Sequence, residues 1–170
     1  DPQASLTVGN ARARPGETAY GEIAVPPGSD PSAPIPVAVV HGVRPGPVVA
    51  LMAGGHGTEY TTIVALSQLI GRIDPRTLTG SVIVVPLFNR ASFEQMVPHI
   101  NPVDGKGMYG LLPDSAGTQT PRVLAALVDQ VVRPATVVID LHGGDLDEHA
   151  RSFSLWLRGG KPAQDSASLK

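Results

Sequence analysis

The stretch MAGGHGTEY, residues 52–60, places a histidine and a glutamate three apart, His56 and Glu59, inside a glycine-rich turn. Far along the chain VVIDLHGGD, residues 137–145, delivers His142 just ahead of Gly143 and Gly144. Both turns follow apolar, β-branched runs of strand type, GPVVALMAG and ATVVIDL, and so stand at strand carboxyl ends, where α/β proteins tend to place their chemistry. If the two strands are neighbours in one sheet, two imidazoles and one carboxylate meet at its edge. That trio, with a fourth position left to water, is the ligand set of catalytic zinc in hydrolases; such an ion acidifies a bound water and polarises a carbonyl without redox chemistry. The glycines permit tight turns and close approach of backbone to metal and substrate. Gly143, Gly144 and Asn89, which follows another apolar run, are the candidate substrate contacts. Each half alone has a plainer reading: an acidic residue at a helix start complements the helix dipole, and DLHGG can be a capped strand end. The joint placement at two strand ends carries the metal reading. His41 and His149 lack that placement and read as ordinary surface or turn histidines.

The elements that must position these groups follow from periodicity. Residues 5–25 and 34–42 carry short β-branched runs broken by PG and PPGSDPSAP, the marks of small antiparallel strands, and 1–44 reads as a β-rich collar. From 45 to 170 the pattern changes to strand alternating with helix. GPVVALMAG is a strand, and TTIVALSQLIGRI has apolar residues at 63, 64, 66, 69, 70 and 73, close to helical spacing. TGSVIVVPLF is a second buried strand, TPRVLAALVDQVV a second helix with Thr120 available as N-cap and Pro121 at its first position, and ATVVIDL a third strand. SFSLWL (152–157) reads as a fourth strand and GGKPAQDSASLK as a polar, flexible tail. Buried strands alternating with helices predict a three-layer αβα sandwich around a mixed, largely parallel sheet, incomplete on its C-terminal side. Between Asn89 and Thr120 lies a long stretch with little regular pattern, and a loop of that length in a compact domain is usually functional.

Composition removes several classes of function. The 13 basic and 15 acidic residues are scattered singly for a net charge of −2, so neither nucleic acid nor an anionic membrane has an electrostatic footprint to bind. The longest apolar runs fall short of the roughly 20 residues that span a bilayer. With no cysteine, any metal must use His, Asp or Glu, and thiol catalysis is excluded. The chain opens at Asp1 rather than Met, which suggests a removed leader and, with the many prolines, an exported bacterial protein.

AGGHGTEY, then DPRTLTGSVIVVPLFN, INPVDGKG and VVIDLHGGD, in that order, resemble the succinylglutamate desuccinylase/aspartoacylase branch of the zinc carboxypeptidase-like hydrolases. The resemblance runs from about Gly16 to Asp145. It implies one Zn2+ held by His56, Glu59 and His142, and hydrolysis of an amide (N-acyl) bond in a small-molecule or peptide-like substrate. The chain also departs from the family. Where the family has an arginine that polarises the scissile carbonyl, this chain has His99; the aspartate that supports a ligand histidine is Gly107; and the Asn-Arg pair that grips a substrate carboxylate is Tyr109-Gly110. Neither tyrosine nor glycine replaces the planar charged fork of arginine, so a substrate without the usual free carboxylate is expected. His99 and Tyr109 remain the candidate catalytic groups, each able to donate a hydrogen bond to a developing oxyanion. With Gly107 in place of the aspartate, Asp140 or Asp104 must orient a ligand imidazole.

In the family the general-base glutamate lies well beyond the DLH turn. Glu148 is the only glutamate after His142 here, and it shares with Asp145 and Asp147 a loop that reads as solvent-exposed or substrate-facing. The base is therefore expected from a C-terminal fragment or a second chain that completes the site. The alternative is a non-catalytic metal-binding or ligand-binding homologue. True carboxypeptidase activity is the third reading, weakened by the absent arginine.

Overall fold

A computed structural model describes residues 3–156 and 158–168. At its centre is a five-stranded sheet in the order β3-β4-β6-β5-β9, formed by β3 (Glu17–Ile23), β4 (Ile35–His41), β6 (Thr79–Val85), β5 (Arg44–Ala53) and β9 (Val137–Leu141). β3, β4 and β6 pair antiparallel, whereas β6, β5 and β9 run parallel, so the sheet is mixed, as expected, with its parallel half carrying the two histidine turns. A hairpin of β1 (Leu6–Val8) and β2 (Ala11–Ala13) lies outside that sheet.

Side-chain alternation explains the layers. In β4, Val37 and Val39 face one side with Val8, Ala11, Ile83 and Val85, where α3 (Gln119–Leu127) adds Val123 and Leu127. Ala38 and Val40 face the other side with Val84 and Ala53, where α1 (Tyr60–Ile70) adds Leu66 and Ile70. A strand buried on both faces reads as a continuous apolar run, which is why IPVAVV and SVIVV show no polar alternation. β9 differs. Val137, Val138 and Ile139 are 44%, 40% and 47% exposed, so both faces of this edge strand stand open despite its core-like composition.

Several local expectations are corrected. The helix begins at Gln119 with Thr118 at its N-cap, so Thr120 and Pro121 lie inside the first turn. The first-turn amides are satisfied from outside the helix: Gln119 N–H donates to Asp30 at 2.6 Å and Thr120 N–H to Asp104 at 2.8 Å. With those carboxylates in place, Thr120 need not cap, and its hydroxyl instead donates to Asp104. A π-helical turn, Val128–Val132, extends this helix. The stretch 89–120 holds α2 (Arg90–Gln95) and a small hairpin of β7 (Ile100–Asn101) and β8 (Lys106–Gly107). Residues 152–156 are irregular rather than a strand, with Phe153 and Leu155 each 81% exposed; Leu157 lies outside the described residues. The tail read as flexible contains α4 (Pro162–Ser168), whose Asp165 accepts from Gly159 and Gly160 N–H. His41 is buried in β4 between the Ser81 hydroxyl and the Ala4 carbonyl, not at the surface. Among the described residues no helix is long and apolar enough to cross a membrane.

Asp104 generates a stability prediction. Burial pushes its carboxyl upward, but hydrogen bonds from Thr120 N–H, the Thr118 and Thr120 hydroxyls and Lys106 N–H together outweigh this and hold it below the usual carboxylate value. A depressed native pKa means stabilisation present above the unfolded value and lost as pH falls through the native one. Asp104→Ala is expected to cost about 1–2 kcal/mol at neutral pH, as loss of a helix cap does. In urea unfolding, the gap between wild type and variant should narrow towards about pH 3.

Candidate functional site

β5 and β9 are hydrogen-bonded neighbours, with Met52 opposite Asp140 and Ala53 opposite Leu141, so the two histidine turns leave the sheet side by side. The first turn is shaped by Gly54, whose φ of +71° lies in the left-handed region and whose Cα faces the Leu87 backbone, leaving no room for a Cβ. It is fastened to the end of β6 by Asn89, whose N–H donates to the Gly54 carbonyl and whose side-chain amide donates to the Gly55 carbonyl, both at 2.9 Å. Ser92 accepts from Gly57 N–H at 3.0 Å.

Glu59 sits at the N-cap of α1, yet its carboxylate makes no capping bond. It turns instead between the imidazoles. His56 Nδ1 lies 2.9 Å from Oε1, His142 Nδ1 lies 3.1 Å from Oε2, and Gly143 N–H donates to Oε2 at 3.1 Å. Glu59 is only 5% exposed. One ligand atom from each of His56, Glu59 and His142 lies within 4.8 Å of the others, the spacing of a group able to hold a metal ion. Asp140, two residues before His142, places Oδ2 at 3.4 Å from His142 Nε2 and accepts the Tyr109 hydroxyl at 2.9 Å. The result is a chain from Tyr109 through Asp140 to His142, whose other nitrogen faces Glu59. Burial raises the Asp140 carboxyl, a shift that the Tyr109 hydroxyl and His142 partly oppose. Burial, with Asp140 alongside, pushes the Tyr109 phenol far above its ordinary value, so its hydroxyl stays a donor.

The sequence-predicted residues distribute as follows. His56, Glu59, His142, Asp140, Tyr109 and His99 are brought together: the His56 ring lies 4.9 Å from that of His99, 5.1 Å from Tyr109 and 5.2 Å from His142. Asp104 lies elsewhere, and its carboxylate is occupied by the start of α3, so between the two candidates it is Asp140 that meets a ligand imidazole. Asn89 is corrected from a substrate contact to a structural one, being 1% exposed with its amide committed to Gly55 and the α2 amide of Ser92. Gly143 and Gly144 lie half-buried on the turn after β9, where a Cβ at Gly143 would come within 2.6 Å of the Thr61 hydroxyl and one at Gly144 would strike the Glu148 carbonyl. Asp145, expected to be open to solvent or substrate, has a side chain only 5% exposed and lies beside His99. Its place three residues after His142, on the same turn, was the available signal.

Residues 45–155 match the model of the succinylglutamate desuccinylase/aspartoacylase catalytic domain. The chain belongs to this family. Among solved structures it is similar to an aspartoacylase family protein from Mesorhizobium loti, with 25% identity and a TM-score of 0.69 over 74% of this chain and 40% of that one. A succinylglutamate desuccinylase from Silicibacter sp. TM1040 aligns with 26% identity and a TM-score of 0.68 over 75% and 40% of the two chains. The product-bound ectoine utilization protein EutE (DoeB) from Ruegeria pomeroyi aligns with 26% identity and a TM-score of 0.68 over 84% and 44%. The chain therefore spans less than half the length of these relatives. Among curated proteins, none matches it.

The close approach at Gly143 is directly testable. Gly143→Ala must turn aside the hydroxyl of Thr61, an exposed side chain and the one atom that a Cβ would meet closely, so its cost is expected to be under about 1 kcal/mol. Chemical denaturation should show a loss in that range together with altered His142 ring resonances.

Proposed function

We propose that the chain is the N-terminal part of a zinc-dependent hydrolase of an amide (N-acyl) bond, with His56, Glu59 and His142 as ligands of a single Zn2+. The observation that carries this reading is the orientation of both histidine Nδ1 atoms onto one buried carboxylate. Burying a carboxylate is costly unless it is paired, and imidazoles beside it supply nitrogen donors but no permanent positive charge. A divalent cation with nitrogen and oxygen ligands supplies that charge and fits the donor set. Bound there, zinc polarises an acyl carbonyl and acidifies water. Asp140 beside His142 Nε2 then does what a carboxylate behind a ligand histidine usually does, fixing the tautomer so that Nδ1 faces the ion.

The proposed substrate lacks the usual free carboxylate. Tyr109-Gly110 stands where the family's carboxylate clamp is expected, and the Tyr109 hydroxyl is committed to Asp140. Glu59, Asp140 and Asp145 add negative charge, and among the described residues none of them forms an ion pair with lysine or arginine. A neutral amide meets less repulsion there than an anionic one. The general base is proposed to come from a further polypeptide segment of the domain. The open β9 edge, apolar on both faces, supports a segment that continues the sheet at this point. The altered clamp also favours a second reading, a homologue that binds metal or ligand without turnover.

Zinc titration by calorimetry separates these readings from a metal-free protein. One ion per chain is expected, with binding lost in His56→Ala and His142→Ala. Asp140→Ala should weaken binding about 10- to 100-fold, the usual cost of removing a carboxylate behind a ligand histidine. Binding unchanged by His56→Ala contradicts the proposal. Zinc binding without amide hydrolysis by the protein joined to its C-terminal segment selects the second reading.

A further inference from the structure

Ser92 lies fully buried on α2 and belongs to none of the groups gathered around Glu59. Its hydroxyl nevertheless makes two bonds: it accepts from Gly57 N–H at 3.0 Å and donates to the Val97 carbonyl at 2.7 Å. A hydroxyl has one proton and two lone pairs, so both bonds form at once and each polarises the other. Gly57 follows His56 directly, and Val97 stands two residues before His99. One oxygen thus joins the turn that carries the first ring to the loop that carries the second, and the two rings meet with centroids 4.9 Å apart.

The end of α2 does not need this hydroxyl, because the Ser92 carbonyl already accepts from Met96 N–H and Val97 N–H. The turn, by contrast, is pressed onto α2: a Cβ at Gly57 would strike the Phe93 nitrogen and the Asn89 carbonyl. On the other side of His56 the Gly55 carbonyl is held by the Asn89 side chain. The backbone is therefore fastened both before and after His56, whose ring has one hydrogen-bond partner among the described residues, Glu59. With so little holding the ring itself, its aim is set by the backbone beneath it.

We infer that Ser92 is a positioning residue of the ligand cluster, acting through the backbone of His56 and coupling that residue to the loop of His99. Without the hydroxyl, Gly57 N–H and the Val97 carbonyl lose their partner. The turn is then fastened on one side of His56 only, and the imidazole must be ordered at the moment a metal binds instead of beforehand. The link is reciprocal: an ion that fixes His56 also fixes the Gly57 bond, and through it residues 97–99. The metal part of this inference rests on the zinc reading above; the coupling of turn to loop does not.

The test compares the full chain with Ser92→Ala, with Ser92→Thr, which keeps the hydroxyl, and with Val8→Ala, a core truncation in the β1–β2 hairpin that lowers stability away from the cluster. In the zinc-free protein, Ser92→Ala should speed exchange of Gly57 N–H about tenfold, the scale of one lost hydrogen bond, and weaken the nuclear Overhauser contact between the His56 and His99 rings. Zinc alone is the second probe. Its affinity in calorimetry should fall about tenfold in Ser92→Ala, as for loss of a group supporting a metal ligand, while Ser92→Thr restores all three readouts and Val8→Ala moves none. A Ser92→Ala variant that is less stable but keeps the Gly57 exchange, the ring contact and the zinc affinity of Val8→Ala overturns the inference. If the alanine variant does not fold, the wild type still decides: Gly57 N–H exchanging as fast as the exposed loop amides also overturns it. A wild type that binds no zinc sinks the zinc reading, and the exchange and ring contact then decide the coupling on their own.

Discussion

The parallel hydrogen bonding of β5 to β9 is the constraint on which the site depends. His56 and His142 lie far apart in the chain, and nothing local draws them together. The register that sets Met52 opposite Asp140 and Ala53 opposite Leu141 ends both strands at one level, so the following turns have no separate course to take. Slipping a strand by one residue would move every side chain to the other face, taking His142 and Asp140 away from Glu59 and His56. The apolar residues of β5 and β6 hold the register because their alternation must match helices on both sides of the sheet. Site geometry is thus a consequence of core packing.

Around that constraint the charges are arranged in layers. Glu59 is the innermost, receiving two imidazoles and one backbone N–H. Asp140 stands behind His142 and receives Tyr109, and Asp145 stands near His99. Three carboxylates in so small a space repel one another unless positive charge or hydrogen bonds intervene. The Tyr109 hydroxyl, kept protonated by its surroundings, relieves Asp140. What would relieve Glu59 most is a divalent cation.

Much of this was legible in the sequence, for identifiable reasons. The runs GPVVALMAG, SVIVV and VVIDL announce strands because burial on both faces leaves no polar positions, and the glycine turns announce their ends. His56, Glu59 and His142 stood out because ligand chemistry at two strand ends is unusual. The failures were tertiary. Asp104 is misplaced because a loop carboxylate that caps a distant helix leaves no local mark, and the same contact goes with a helix whose N-cap is Thr118 rather than Thr120. His41 lies buried because Ser81 and Ala4, remote in sequence, satisfy both its nitrogens. SFSLWL has strand composition, but residues 152–156 pair with nothing among the described residues, and composition alone does not make a ladder. Asn89 is closed to substrate because its buried side chain fastens the turn at Gly55, a contact with no mark in the local sequence.

The central claim is that the two imidazoles and the carboxylate share one ion. Anomalous scattering at the zinc edge from crystals grown with zinc tests it most directly. A single strong peak bounded by His56 Nδ1, His142 Nδ1 and the Glu59 carboxylate, at about 2.0–2.2 Å from each, is the predicted result. A map with no peak between these residues, or with zinc held elsewhere while Glu59 keeps both imidazoles as its partners, would contradict it.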